Sequence, residues 1–146
     1  IRDRLWKVDE NGFHLLEEEM GTTNGIEVSP DGRYLYVNES IQRLIWRYDL
    51  SEEGNISEKT LFYQFEDHGL DGMRCDQNGN LFVCRYDAGS VVVLSPGGDL
   101  IREVVLKGKK PSNITFGGQD GKQCFVTLAD RGCFESFYSE YPGRSW

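Results

Sequence analysis

The stretch Asn24-Gly-Ile-Glu-Val-Ser-Pro-Asp-Gly-Arg-Tyr-Leu-Tyr-Val37 decides the reading of this chain, because it recurs twice further on. It aligns with Asp71-Gly-Met-Arg-Cys-Asp-Gln-Asn-Gly-Asn-Leu-Phe-Val83 after 47 residues, and with Asn113-Ile-Thr-Phe-Gly-Gly-Gln-Asp-Gly-Lys-Gln-Cys-Phe-Val126 after a further 42. Each copy reads as a short alternating strand, a turn at Asp31-Gly32, Asn78-Gly79 or Asp120-Gly121, and a second strand of β-branched and aromatic residues. An Asx-Gly pair supplies the positive φ that a tight hairpin requires. A fixed period of this length marks a repeat architecture in which each unit is one supersecondary element.

Two further strand candidates follow each of the first two copies, at 43–48 and 60–65, then at 90–94 and 101–106. Segments 4–8 and 13–16 read as the outer strands of a preceding unit, and 133–138 as the third strand of the last. Four strands per unit make a blade. The chain is therefore predicted to be all-β, a β-propeller of four-stranded antiparallel blades numbering about three. The divisions are 1–20 for the outer strands of a preceding blade, 21–67 and 68–109 for two blades, and 110–146 for a partial one. A plain antiparallel sandwich also has short strands at intervals of roughly 8–12 residues, yet gives no reason for three like units in register. Closed propellers have about 4–8 blades, so three make half of a six-bladed ring. Open blade faces invite association. A second copy of the chain, related by a twofold along the ring axis, would close the ring, as would a missing half.

A length of 146 residues suits one domain with a real core. Sixteen Lys and Arg stand against 24 Asp and Glu, a net charge of -8, which opposes phosphate binding and argues against nucleic acid as a partner. No apolar run approaches the roughly 20 residues of a membrane span, and the charged start at Arg2, Asp3 and Arg4 shows no apolar core of a signal peptide. Cys75, Cys84, Cys124 and Cys133 lack CxxC spacing. They are expected to be free thiols, buried or half-buried, in a reducing compartment, which makes the expected location cytoplasmic.

In a propeller the first strand of each blade starts at one rim of the central channel and the second strand returns to it. That rim would gather Asn24, Asn38-Glu39-Ser40, His68, Asp71, Arg85-Tyr86-Asp87, Ser112, Asn113, Asp130 and Arg131. An Asn amide and an Asp carboxylate meeting across a channel suit a hard cation such as calcium, which takes about 6–8 oxygens and so needs further donors. Alternatively, Asn24 and Asp71 are turn residues whose side chains bond the nearby backbone. His68 is either a general base or a solvated loop residue. Cys84 beside Arg85 is either an activated thiol or, by its alternation with Phe82, a packed strand residue, and the latter is favoured. The run Glu17-Glu18-Glu19 reads as a solvated strand end. No nucleophile elbow, P-loop, HExxH or dinucleotide fingerprint is present.

The order Thr23-Asn24-Gly25-Ile26 with Ser29-Pro30-Asp31-Gly32, then Leu70-Asp71-Gly72-Met73 with Asp76-Gln77-Asn78-Gly79, then Pro111-Ser112-Asn113-Ile114, resembles the SMP-30/gluconolactonase/LRE-like family. The resemblance implies a six-bladed propeller with one divalent metal in its channel, hydrolysing sugar lactones to aldonic acids. It implies Asn24 and Asp71 as metal ligands and Asp71 also as the catalytic general base. Calcium is the first expectation for the metal, with zinc, magnesium and manganese as alternatives. The family's third ligand, a Glu near the N-terminus, and the Arg and Asn that contact substrate have no counterpart here, so substrate-binding residues are unassigned. Leu70 stands where many members have Pro. The chain thus resembles the C-terminal half of such an enzyme. The expected function is lactone hydrolysis once a second copy or a missing half completes the ring. A homodimer would bring two copies of Asn24 and Asp71, four oxygen donors, to the axis. The alternative is a non-catalytic propeller fragment that binds calcium or a partner.

Overall fold

Side chains alternate between two faces along a strand, and in the strands around the Asx-Gly turns both faces are apolar. That pattern fits a sheet covered on both sides. A computed structural model describes residues 2–146, which form thirteen strands and no helix. They are β1 (Asp3–Asp9), β2 (Gly12–Met20), β3 (Thr23–Val28), β4 (Tyr34–Glu39), β5 (Leu44–Leu50), β6 (Ile56–Gln64), β7 (Met73–Cys75), β8 (Leu81–Arg85), β9 (Ser90–Leu94), β10 (Leu100–Val105), β11 (Pro111–Gly117), β12 (Gln123–Leu128) and β13 (Cys133–Tyr138).

Consecutive strands pair antiparallel in four sheets. β3 to β6 and β7 to β10 are four-stranded meanders, β11 to β13 make three strands and β1 with β2 a two-stranded ribbon. The valine that ends each repeat motif holds the same place in its ladder. Val37 pairs with Ile26, Val83 with Met73 and Val126 with Ile114. Gly32, Gly79 and Gly121 turn their hairpins at φ 73, 82 and 71. In the middle hairpin it is Asp76, two residues before Asn78, whose carboxylate accepts the N–H groups of Asn78 and Asn80.

Three apolar layers lie between the sheets. Leu81, Val83, Val92 and Leu94 meet Tyr36, Ile45 and Phe65 of the preceding sheet. The intervening Phe82, Cys84, Val91 and Val93 meet Ile114, Cys124 and Val126 of the following one. Strands β8 and β9 are therefore buried at every residue. Leu35, Val37 and Tyr48 pack with Leu5 and Met20 of the ribbon. The two outermost faces stay open. The cross-strand pairs Trp6–Leu15 and Val8–Phe13 are exposed on the ribbon, as are Phe134 and Tyr138 on β13.

Residues 139–146 leave the third sheet and cross back to the second. The Gly143 N–H donates to the Gly121 carbonyl at 3.0 Å, the Arg144 N–H to that of Cys75 at 3.0 Å, and the Gln77 N–H to that of Pro142 at 2.8 Å. All four cysteines are free. Cys75, Cys84 and Cys124 are buried, whereas Cys133 is exposed, against the expectation of at least partial burial, because it opens the last strand of a sheet covered on one side only. Among the described residues no helix is long and apolar enough to cross a membrane.

Because β8 is covered on both faces, truncating Leu81 to Ala is expected to cost about 2–5 kcal/mol in urea unfolding of the chain. Val105, an exposed residue of the edge strand β10, is expected to tolerate the same truncation within about 0.5 kcal/mol.

Candidate functional site

The three motif starts converge because the inner strands of neighbouring sheets approach one another closely. A Cβ added to Gly25 would collide with the Asp71 carbonyl, with Asn38 Nδ2 at 2.6 Å and with Met73 Cγ at 2.9 Å. One added to Gly72 would strike the Asn113 side chain and its Cα at 2.9 Å. The glycines after Asn24 and Asp71 are therefore the contact points for the next sheet.

Asn38, the penultimate residue of β4, holds this arrangement together. Its side chain is completely buried; Oδ1 accepts the Gly25 N–H at 2.9 Å and Nδ2 donates to the Asp71 carbonyl at 2.7 Å. Asp71 and Gly72 precede the short β7 and bond to β8 instead. The Asp71 N–H donates to the Cys84 carbonyl and the Cys84 N–H to that of Gly72, each at 3.0 Å. The Gly72 N–H reaches the Ser112 carbonyl of the third sheet at 3.0 Å. The backbone around Asp71 is thus fixed from three sheets.

Asn24, Asp71, Ser112 and Asn113 line one concavity of about 200 Å3 with Gly25, Gly72 and Arg74. Asn24 is exposed and Asp71 half-buried. Burial pushes the Asp71 carboxyl above the usual carboxylate range, while hydrogen bonds from the Gly72 N–H and the Asn24 side chain act in the opposite direction. A partly desolvated carboxylate beside an amide oxygen is donor chemistry suited to a hard cation, so these residues fit such an ion. They fit it as part of a set. Among the described residues no three of His, Cys, Asp and Glu are grouped to hold a metal, and Asn113 Oδ1 already accepts the Ile114 N–H at 3.0 Å.

Most other rim candidates have different partners. Glu39 accepts the Trp46 indole N–H at 2.9 Å, and Ser40 Oγ accepts the Leu70 N–H at 3.2 Å. Arg85 is buried, lies over the Phe65 ring at 3.8 Å and bonds Asp67 at 2.9 Å. Asp130 accepts the N–H groups of Lys109 and Lys110. Glu39 braces two strands of one sheet, and the other three side chains brace the connecting segments. His68 is exposed, with positive φ, and its nearest acidic partner is Asp67 at 3.8 Å. Cys84 is fully buried, and desolvation first, then the Asp71 charge, pushes its thiol well up, which makes it an inert packed residue.

Two features had no place in the sequence reading. Arg74, two residues beyond Gly72, borders the concavity. Glu27 of β3 is buried and accepts the Val28 N–H at 2.9 Å, the Cys75 N–H at 3.0 Å and Arg144 Nε at 3.0 Å. The signal for Glu27 was a carboxylate in an otherwise apolar motif. Arg144 gave none, since its partner is far away in sequence.

Comparison with known proteins matches residues 3–130 to the SMP-30/gluconolactonase/LRE-like region. The chain is 29% identical over 134 residues to the 6-deoxy-6-sulfogluconolactonase of Pseudomonas putida, covering 86% of this chain and 46% of that protein. It is 31% identical over 130 residues to the pentonolactonase of Haloferax volcanii, covering 86% and 45%. In fold it is similar to a calcium-binding protein, regucalcin, from Agrobacterium tumefaciens, with a TM-score of 0.84 at 20% identity over 97% of this chain and 53% of that one. The chain thus spans about half the length of the relatives it matches. With a family model matching residues 3–130, most of its length, the chain belongs to the SMP-30/gluconolactonase/LRE-like family.

Proposed function

We propose that this chain contributes the Asn24–Asp71 part of a divalent-cation site that hydrolyses a sugar lactone, in a ring completed by a second copy or by a missing half. The observation that carries the reading is the Asp71 carboxylate. It is half-buried, raised by desolvation and set beside Asn24 in a concavity whose backbone is fixed by Asn38. A sulfogluconolactonase 29% identical and a pentonolactonase 31% identical to this chain support a lactone as substrate. Calcium is the first choice of cation, since the donors are amide and carboxylate oxygens, with magnesium, manganese or zinc behind it.

In this reading a bound cation would polarise the lactone carbonyl and stabilise the developing oxyanion. Asn24 would hold the ion through its amide oxygen. The Asp71 carboxylate both holds the ion and accepts the proton of the attacking water, and partial burial shifts its basicity in the direction that task requires. Asn38 is a positioning residue that acts through the Gly25 and Asp71 backbone. Completion of the ring would cover Trp6, Val8, Phe13, Phe134 and Tyr138 and supply the missing oxygens. A non-catalytic propeller fragment that binds calcium or a partner is the second reading, favoured by Asp71 being the one acidic residue that lines the concavity.

The test is hydrolysis of gluconolactone, followed by titration of the acid released, on preparations whose light-scattering mass reports whether copies pair. Calcium-dependent hydrolysis is expected from the closed ring, lowered at least about 100-fold by Asp71→Asn. Hydrolysis that survives both that substitution and chelation overturns the mechanism. Calcium binding by a closed ring that hydrolyses no lactone selects the second reading.

Stability supplies an independent prediction. A carboxyl raised in the folded state stabilises the fold below its unfolded value near 3.8, and that contribution is lost as pH rises through the folded value. Without cation, Asp71→Asn is therefore expected to raise the unfolding midpoint at pH 7 by about 1–3 °C, and to leave it unchanged near pH 3. Calorimetric scans at both pH values check this.

A further inference from the structure

The crossing of residues 139–146 under the inner strands creates a second concavity, of about 390 Å3, lined by Glu27, Arg74, Cys75, Thr115, Arg144 and Trp146 among others. A volume of this order matches a monosaccharide-sized ligand. Of its charged groups two satisfy each other and the third points to an anion. Glu27 is saturated, with two backbone N–H groups and Arg144 Nε on its oxygens. Arg144 is in turn held by that pair and by its own N–H on the Cys75 carbonyl. Arg74 is half-buried and has no carboxylate partner among the described residues; its guanidinium donates only to the Met73 carbonyl, at 2.9 Å. In a chain with 24 acidic residues, a half-buried guanidinium left without a carboxylate is a vacant fork of N–H donors. The Trp146 indole, on the same wall, offers a flat apolar face of the kind that packs on sugar C–H groups.

We propose that this concavity is a binding site for a small carboxylate-bearing polyol, with Arg74 as the residue that recognises the carboxylate. One guanidinium free to form a bidentate pair selects a single planar carboxylate, and a neutral polyol lacks the group that would satisfy it. The hydroxyls of the ligand face Thr115 and Ser145, and the strap residues Arg144 and Trp146 close the site from below. Cys75 lines it only as a buried thiol whose burial keeps it protonated. The site uses neither Asn24 nor Asp71; Arg74 borders both concavities, so Trp146, which lines only this one, and a chelator distinguish it from the cation-dependent site.

The experiment is calorimetric titration of the 146-residue chain with gluconate in the presence of a chelator, which silences any cation-dependent site. One-to-one binding is expected, weakened at least about tenfold by Arg74→Gln and partly restored by Arg74→Lys. Sorbitol, the neutral counterpart, is expected to bind at least about tenfold more weakly than gluconate. Unfolding midpoints of the variants establish that they fold, and Trp146→Ala, with its indole removed, is expected to weaken gluconate binding as well. The proposal is overturned if gluconate gives no saturable binding, if Arg74→Gln binds it as the parent does, or if sorbitol binds equally. Binding that appears only when calcium replaces the chelator places the ligand at the Asn24–Asp71 site and also overturns it.

Discussion

The two hydrogen bonds of Asn38 are the constraint on which the rest depends. A buried amide that accepts from Gly25 and donates to Asp71 ties the inner strand of one sheet to the loop entering the next. Both groups it satisfies are main-chain, and leaving either unpaired in the interior costs about 1–3 kcal/mol. The glycines make the clamp feasible, because Gly25 admits both the Asn38 amide and the Asp71 carbonyl, while Gly72 admits Asn113. Around this point the apolar layers fix the sheets. Their alternating residues cover both faces of β8 and β9, and the bonds of Asp71 and Gly72 to Cys84 hold the loop before β7 against that buried layer.

The electrostatics follow from the same geometry. The clamp binds the Asp71 backbone and leaves its carboxylate to water and to Asn24, so desolvation raises the carboxyl without silencing it. Elsewhere the buried Glu39 and Asp76 are held by neutral donors, and the other two buried charges are ion-paired. Glu27 has Arg144 and Arg85 has Asp67, each linking segments far apart in sequence. Ion pairs of this kind contribute little net stability, but removing one partner leaves a charge stranded in the interior, so they fix which segment crosses where. The exposed aromatic and aliphatic faces at the two ends are the counterpart of a chain that spans about half the length of its relatives.

Much of the fold was legible because it repeats. Three copies of one motif fixed the strand pairs, and the valines of those copies occupy equivalent ladder positions. Strand ends were less legible: 60–65 reads as a strand, yet β6 is Ile56–Gln64, since polar edge residues carry no alternating signal. At the rim, residue type offered Asn24 and Asp71 as oxygen donors but could not separate them from Glu39 or Asp130, whose carboxylates accept the Trp46 indole N–H and the Lys109 and Lys110 N–H groups. That distinction depends on which way each side chain turns, and a period-2 pattern does not encode it. The strap at 139–146 was invisible for a different reason. Its contacts to Gly121, Cys75 and Gln77 are main-chain bonds, which leave almost no trace in side-chain pattern.

Asn38 bonds the Gly25 N–H and the Asp71 carbonyl, and the proposed site depends on it as a clamp that positions Asn24 and Asp71. Calcium titration of Asn38→Ala beside the parent chain, with the unfolding midpoint recorded for both, tests it most directly. If the clamp positions the donors, the variant remains folded at low temperature with Asp71 intact, and the calcium concentration needed to raise its midpoint increases at least about tenfold, equivalent to about 1.4 kcal/mol of lost binding. If Asn38→Ala responds to calcium as the parent does, the donors hold their positions without the clamp, and the dependence of the site on Asn38 is wrong.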